Sequence, residues 1–190
     1  MKVLGVLGSP RRKGNTDLLL DAALEGAREA GAEVEKLVLE EMDLRGCREC
    51  DSCLATGKCV VEDDMQRIYR KIDELDVIIV ASPVFFSGLT AQTKMMIDRC
   101  QCLWAGKYML GRPAGQGRRR IGAFLSVGGR SRSNFKNAIS EVKAFFLSIN
   151  VEYAGEVTVP GIEGKGAIRD HPASLDEARE LGRKIVRSLS

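Results

Sequence analysis

Short apolar runs alternate along the chain with longer segments in which apolar residues recur every three or four positions. This recurrence predicts amphipathic helices, and the first of them has the apolar stripe Leu19, Ala22, Ala23, Gly26, Ala27 and Ala30. The five short runs predict β-strands at residues 2–8, 33–39, 76–81, 120–127 and 151–159. Strands that alternate with helices indicate βαβ units and a parallel sheet.

The character of the strands predicts their places in the sheet. Residues 77–81 are continuously apolar, as expected of a central strand that is covered on both faces. The last strand carries Glu152 and Glu156 between apolar residues, which is typical of an edge strand protected by charge. We therefore predict an α/β fold, a flavodoxin-like doubly wound parallel sheet of five strands in the order 2-1-3-4-5 with helices on both faces. Residues 1–190 are expected to form a single domain.

Capping residues predict where several helices begin and end. Gly31 is expected to end the first helix. Asp63 is expected to cap a later helix, with Gln66 three residues on. One continuous helix is predicted from Thr90 to about Trp104. A capping box from Ser174 to Glu177 is predicted to open the last helix.

Composition and charge exclude several classes of protein. No apolar run reaches 18 residues, so we expect no membrane span. The short apolar N-terminus is followed by basic residues at 11–13 instead of a signal-peptide cleavage site, so a cytoplasmic location is expected. A net charge of +3 is too small to indicate binding to nucleic acid. The basic cluster at 118–120 and the only histidine, His171, are expected to be solvated loop residues.

Four cysteines within thirteen residues form the most specific motif, with the spacing C-x2-C-x2-C-x5-C; they are Cys47, Cys50, Cys53 and Cys59. Two disulfides in so short a loop would be strained, and a reducing cytoplasm would open them. Four thiolates suit zinc or an iron–sulfur cluster. Zinc sites usually separate two cysteine pairs by a longer stretch, whereas consecutive x2 intervals are typical of ferredoxin-like runs. We therefore favour one [4Fe–4S] cluster over zinc or an empty loop.

Two further cysteines, Cys100 and Cys102, fall on the predicted helix that follows Thr90. Their spacing suits no metal site on a helix, so we interpret them as packing residues or as residues without a role in the site.

The loop between the first strand and the first helix has the composition of an anion site. Free N–H groups and the helix dipole converge at a helix N-terminus, and Ser9, Asn15 and Thr16 can add side-chain donors. The loop lacks both G-x-G-x-x-G and the Walker motif, so we expect it to bind a single phosphate. The alternative is an ordinary capped βα turn.

Two more loops are predicted at the same edge of the sheet. The loop at 82–90 is apolar and aromatic where loops are usually polar. Its candidate ligand contacts are Pro83, Val84, Phe85, Phe86 and Gly88. The two phenylalanines could wall a planar ring or plug the core. Gly128 and Gly129, after the fourth strand, would let the backbone approach a ligand closely. A phosphate at one end of this edge and a slot for a flat ring at the other describe FMN.

Taken together, these segments resemble the iron–sulfur flavoproteins, a branch of the NAD(P)H-dependent FMN reductase and flavodoxin-like group. The resemblance is carried by residues 8–16, which include Arg11, by the four cysteines with residues 63–65, and by residues 82–99 with Lys94 and Asp98-Arg99. It implies one FMN and one [4Fe–4S] cluster per subunit and a role in electron transfer. It also implies a homodimer or homotetramer, in which a cluster can serve a neighbour's flavin.

Three functions are compatible with these residues. We favour an electron carrier that exchanges single electrons with a ferredoxin-like partner, because a hydride donor needs only the flavin and would leave the cysteines idle. Arg48 and Lys58 could steer an acidic ferredoxin to the cysteines, or they are simply solvated. The second function is an NAD(P)H-dependent FMN or quinone reductase. The third, a zinc-stapled interaction module, leaves the phosphate loop without a purpose.

Overall fold

Five parallel strands form the centre of the molecule, and the computed structural model describes residues 1–189. The strands are β1 (Lys2–Leu7), β2 (Glu33–Val38), β3 (Val77–Ala81), β4 (Ile121–Val127) and β5 (Glu152–Val159). They pair in the order β2-β1-β3-β4-β5, and every pairing is parallel. The predicted fold class and strand order are confirmed, and each strand end lies within one residue of its predicted position.

Helices cover both faces of this sheet. Their bounds are α1 (Asn15–Glu29), α2 (Ser52–Thr56), α3 (Met65–Glu74), α4 (Ala91–Arg99), α5 (Gln101–Tyr108), α6 (Lys136–Ser148) and α7 (Pro172–Arg187). Short 3-10 turns occur at Leu39–Glu41, Ala114–Gly117, Arg132–Phe135 and Ala167–Asp170. Helices α1 and α7 pack on one face of the sheet, whereas α3, α4 and α6 pack on the other.

The strand residues alternate between two apolar cores. In β3, Val77, Ile79 and Ala81 contribute to the core under α1 and α7, while Ile78 and Val80 contribute to the opposite core. This division follows from the two-residue period of a strand and explains why β3 is apolar throughout. Burial of each such side chain stabilises the fold by about 1.5–3 kcal/mol.

Two predicted capping boxes are not formed, although the Asp63 carboxylate accepts from Met65 N (3.1 Å) as a capping residue does. Helix α3 begins at Met65, and the side chain of Gln66 donates to Cys59 O (3.2 Å) and Val61 O (2.9 Å) instead of closing a box with Asp63. Helix α7 begins at Pro172, so the predicted capping box lies inside its first turns. Proline is well suited to the first helical position, because its missing N–H would have no partner there.

The single helix predicted to begin at Thr90 is two helices. The backbone leaves the helical conformation at Cys100 (φ −75°, ψ 5°), which separates α4 from α5. In contrast, Gly31 ends α1 as predicted, with a φ of +88° and an N–H that donates to Arg28 O (2.8 Å).

The basic cluster at 118–120 is only partly solvated, which corrects the prediction. Arg118 and Arg119 are exposed, but Arg120 is 1% exposed and donates to Ile72 O and to Ile149 O. These carbonyls lie at the C-terminal ends of α3 and α6, where a cation interacts favourably with free carbonyl groups.

Within residues 1–189, no helix combines the length and the apolar character that crossing a membrane would require. His171 is exposed immediately before α7, in agreement with its predicted solvation.

Candidate functional site

The loops that follow the parallel strands meet at one edge of the sheet. Hydrogen bonds join neighbouring loops there: Thr90 Oγ1 donates to Gly8 O (2.6 Å), Asn134 Nδ2 to Ser87 Oγ (3.3 Å) and Gly161 N to Gly129 O (2.7 Å). The three loops predicted to share this edge therefore lie together. The loop after β5, which the sequence interpretation had not included, joins them.

The N-terminus of α1 has several free donors. The N–H groups of Asn15, Thr16 and Asp17 make no hydrogen bond to residues 1–189. Thr16 is 3% exposed, and its hydroxyl also lacks a partner within the described residues. An unpartnered hydroxyl beside three free N–H groups and the positive end of a helix dipole fits a bound phosphate.

The other predicted phosphate contacts have different surroundings. The Ser9 hydroxyl accepts from Arg11 N (3.2 Å), and the Arg11 side chain is exposed without an ion pair to the described residues. The side chain of Asn15 binds the loop after β5 by donating to Gly164 O (2.8 Å) and accepting from Ile168 N (3.2 Å). Its side chain therefore positions that loop, while its backbone N–H remains free.

Asp17 fixes the shape of the loop between β1 and α1 (residues 8–14), which is predicted to bind phosphate. Its carboxylate is buried, accepts from Lys13 N (2.7 Å) and pairs with Lys36 of β2 and with Arg12. The sequence interpretation missed this residue because its main partner lies 19 positions away on another strand.

The loop after β3 forms a tight hairpin turn. Phe85 and Gly88 exchange two backbone hydrogen bonds (3.0 and 2.9 Å), and Phe86 and Ser87 between them have φ of +50° and +60°. Such angles are unusual for a bulky side chain. Phe86 is fully exposed and Phe85 is 49% exposed, so the alternative that they plug the core is wrong.

Pro83, Val84 and the paired glycines complete this edge. Pro83 and Val84 are partly buried, and Val84 N donates to Val127 O (3.4 Å). Gly128 and Gly129 have φ of +119° and +68°, which an L side chain rarely adopts. The two loops are thus joined by a backbone hydrogen bond, and their contact with a ligand stays a prediction.

The cysteines lie in a long loop whose two ends are held together. Within this loop, which we call the cysteine loop (residues 43–64), Asp43 N donates to the Asp64 carboxylate (2.8 Å) and Asp64 N donates to Asp43 O (3.1 Å). Arg45 N donates to the Asp63 carboxylate (3.0 Å). The loop folds back over α4 and α5 and forms one wall of a cleft of about 580 Å³.

All six cysteines of the chain are free thiols that line this cleft. Burial raises the pKa of the Cys53 thiol, and the nearby Cys59, Cys47 and Cys50 raise it further. Hydrogen bonds from Ser52 lower the pKa of Cys50. The four predicted ligands therefore line one cleft. Within residues 1–189, no three cysteine, histidine or acidic side chains converge closely enough to hold a metal ion.

A buried ion pair lies beneath the cysteine loop. Arg99 at the end of α4 is 1% exposed and binds both carboxylate oxygens of Asp63 (2.6 and 3.1 Å). Burial alone would raise the pKa of Asp63, but the hydrogen bonds from Arg99 and from the backbone of Arg45 and Met65 lower it. Sequence reasoning quoted Arg99 only as part of the family resemblance and gave it no role.

The two basic residues predicted near the cysteines are solvated. Arg48 and Lys58 are exposed, and neither forms an ion pair with the described residues.

Comparison with known proteins places the chain in a family. The family model described as NADPH-dependent FMN reductase matches residues 1–161. An iron–sulfur flavoprotein of Archaeoglobus fulgidus is 46% identical, over 100% of this chain and 80% of that protein. An iron–sulfur flavoprotein of Methanocaldococcus jannaschii is 34% identical, over 98% of this chain and 96% of that one. The chain belongs to the iron–sulfur flavoprotein family.

Solved structures show the same fold as this member of the iron–sulfur flavoprotein family. The NAD(P)H:quinone oxidoreductase of Methanothermobacter marburgensis superposes with a TM-score of 0.72 at 20% identity, over 96% of this chain and 98% of that one. A flavone reductase superposes with a TM-score of 0.74 at 23% identity, over 100% of this chain and 63% of that one. These likenesses concern the fold alone.

Proposed function

We propose that the chain is a redox flavoprotein that holds FMN at the loop edge of the sheet and one [4Fe–4S] cluster in the cysteine loop. The observation that carries this proposal is that four free thiols at C-x2-C-x2-C-x5-C spacing line one cleft, on a loop whose base is closed by hydrogen bonds. When bound, the cluster supplies one electron at a time and the flavin two. The chain would thus transfer electrons between a partner that exchanges one electron at a time and a partner that exchanges two.

The phosphate of FMN would be held at the N-terminus of α1. The Thr16 hydroxyl and the N–H groups of residues 15–17 supply donors without competing partners among residues 1–189. The turn at 85–88 and the glycines at 128–129 would supply the backbone beside the planar ring. The names of the matching family and of the curated relatives support FMN and an iron–sulfur group.

The cluster would be held by Cys47, Cys50, Cys53 and Cys59. Cys47 and Cys50 are exposed and Cys53 and Cys59 are partly buried, so two thiols face the solvent and two face the protein. Four soft sulfur donors on one loop suit iron–sulfur clusters and zinc better than hard cations. The position of this loop at the surface would let a protein donor approach it.

The proposed electron donor is a ferredoxin-like protein, and the exposed Arg48 and Lys58 would steer its acidic surface. We further propose that the chain forms a homodimer or homotetramer, as several large apolar side chains are at least half exposed. These are Val60, Tyr108, Met109 and Leu147.

The test is an anaerobic preparation followed by rapid-mixing reduction. We expect about four iron and four sulfide ions per chain with one FMN. Reduced ferredoxin should reduce the flavin quickly, at a rate that falls as the salt concentration rises. Stoichiometric zinc without sulfide would contradict the cluster.

The second candidate function is an NAD(P)H-dependent FMN or quinone reductase. It is favoured by basic side chains around the loop edge that form no ion pair with the described residues: Arg11, Arg130, Arg132 and Lys165. These cations could bind the phosphates of a dinucleotide. Fast flavin reduction by NADPH in protein stripped of its cluster, with no response to ferredoxin, would establish this function instead.

A further inference from the structure

The Arg99–Asp63 pair joins both ends of the cysteine loop. The guanidinium of Arg99 donates to Arg45 O (2.9 Å) on the entering segment and to Val61 O (3.2 Å) on the leaving segment. The Asp63 carboxylate also accepts from Arg45 N (3.0 Å) and Met65 N (3.1 Å). One buried cation and one buried anion therefore fix the base of the loop without using any cysteine sulfur.

One N–H donor of this guanidinium has no acceptor among residues 1–189. Arg99 Nε is buried and has no hydrogen-bond partner in the described part of the chain, and Arg99 lines the cleft that holds the cysteines. Burial alone would lower the pKa of Arg99. The hydrogen bond with Asp63 raises it, with further contributions from Tyr69 and from the Cys59 thiol. Arg99 and Cys59 line the same cleft, and Arg99 donates to Val61 O (3.2 Å), two residues along the chain from Cys59. An unsatisfied buried donor is unfavourable unless an acceptor becomes available.

Among the described residues that line this cleft, Arg99 has the one buried basic side chain. Arg48 and Lys94 also line it, but both are exposed, and Lys94 is paired with Asp98 (2.6 Å). Exposed charges are screened by water and salt, whereas a buried charge is screened much less in its action on a neighbouring group.

We propose that Arg99 sets the reduction potential of the cluster by donating from Nε to the Cys59 sulfur and by placing a positive charge beneath the loop, a charge that Asp63 partly offsets. This inference rests on the proposed function, since it requires a cluster at the four cysteines. A buried cation and an N–H donor to a ligand sulfur favour the state that carries one more electron. Arg99 would therefore raise the potential, and Asp63 would lower it.

The experiment is a redox titration of the cluster, followed by electron paramagnetic resonance, in the wild type and in two variants. Arg99→Gln removes the cation and leaves Asp63 unopposed, so the potential should become more negative. Asp63→Asn removes the anion and leaves Arg99 unopposed, so the potential should become more positive. A tenfold change in the reduction equilibrium corresponds to about 59 mV for one electron, and we expect a change of about that size in each direction.

Two further variants complete the design. Arg67→Gln removes an exposed cation whose pairing with Glu35 lies on another part of the surface, and it should leave the potential unchanged. Arg99→Lys keeps the buried charge while removing the Nε donor. If Arg99→Gln loses its iron, the reduction potential can still be measured in Arg99→Lys. The potential of Arg99→Lys should be lower than that of the wild type, but by less than the decrease expected for Arg99→Gln.

Opposite shifts in Arg99→Gln and Asp63→Asn would support the inference, because a merely structural pair would lower iron content in both without opposite shifts in potential. Unchanged potentials, shifts in one direction, or loss of iron from every Arg99 and Asp63 variant would overturn it. If the wild-type protein itself contains no iron and sulfide, the proposed function fails, and this inference fails with it.

Discussion

Thr16 is almost completely buried, yet its hydroxyl has no hydrogen-bond partner among residues 1–189. If it binds the FMN phosphate, Thr16→Ala removes a charge-assisted hydrogen bond that stabilises the complex by about 1.5–3 kcal/mol. We expect the affinity for FMN to fall roughly ten- to hundredfold. Thr16→Ser should retain most of it. Fluorescence titration of the apoprotein measures these affinities, and equal affinity for FMN and riboflavin would disprove the phosphate assignment.

The six thiols differ in the chemistry open to them. Cys100 and Cys102 are each 2% exposed. Burial raises the pKa of Cys100 and raises that of Cys102 to about 11, so their thiolate forms are less accessible than that of an exposed thiol. We expect Cys59→Ala to lose most of its iron and sulfide, whereas Cys100→Ala retains them. Iron and sulfide assays on anaerobic protein test this pair. Full retention of iron in Cys59→Ala would show that the fourth ligand lies elsewhere.

The sequence allowed the ligand candidates to be predicted but not the buried polar residues around them. The spacing of the cysteines is local, so it is visible in the chain itself. Arg99 and Asp63 lie 36 residues apart, and Asp17 and Lys36 lie 19 apart. Arg120 is likewise buried only because two helix ends converge on it. From the sequence alone, such residues are expected to be exposed charges, because the contacts that bury them are between distant parts of the chain.

At the scale of elements, α4 connects the two candidate sites. Its cap Thr90 accepts from Thr93 N (3.4 Å) and donates to Gly8 O (2.6 Å) beside the phosphate loop, while Arg99 at its other end holds the cysteine loop. Gly8 lies so close that an added Cβ would be 1.8 Å from Thr93 Oγ1. The helix thereby fixes the separation between the two sites.

Thr90→Val should accordingly weaken this connection. The variant keeps the shape of the buried side chain but leaves Gly8 O and the first turn of α4 without a partner. We expect the free energy of unfolding to fall by about 2 kcal/mol. Thr90→Ser retains the hydroxyl and should be close to the wild type. Urea denaturation of the apoprotein measures both, and equal stability of Thr90→Val and the wild type would contradict this role.

Strand positions could be predicted more closely than the ends of the helices. Strand positions follow from runs of apolar residues, and each was placed within one residue. The break at Cys100 was not predicted, because the sequence on either side of it is compatible with one continuous helix. The start of α7 was misplaced because both Pro172 and Ser174 are suited to the beginning of a helix. The capping-box motif at Ser174 has the stronger sequence signature, but the helix begins at Pro172.

At the scale of the whole molecule, self-association is the main expectation. Leu147 of α6 is 60% exposed. Tyr108, the last residue of α5, is 50% exposed, and Met109 directly after it is 56% exposed. If this surface is covered in a dimer or tetramer, Leu147→Glu should shift the mass measured by light scattering toward that of one chain. Asn137→Glu, exposed on the same helix, should not. A monomeric wild type would contradict the expectation.

The closure of the cysteine loop by Asp63, Asp64 and Arg99 bears on how the protein would be matured in the cell. Small zinc domains are unfolded without their metal, because the metal supplies the folding energy. Here the backbone at the base of the loop is held by hydrogen bonds that involve no sulfur, and the sheet has its own cores. We expect chelated, cluster-free protein to keep its circular dichroism spectrum and a cooperative melting transition, and an unfolded apoprotein would contradict this. A folded precursor with two thiols already exposed would be ready to receive a preformed cluster from an assembly scaffold.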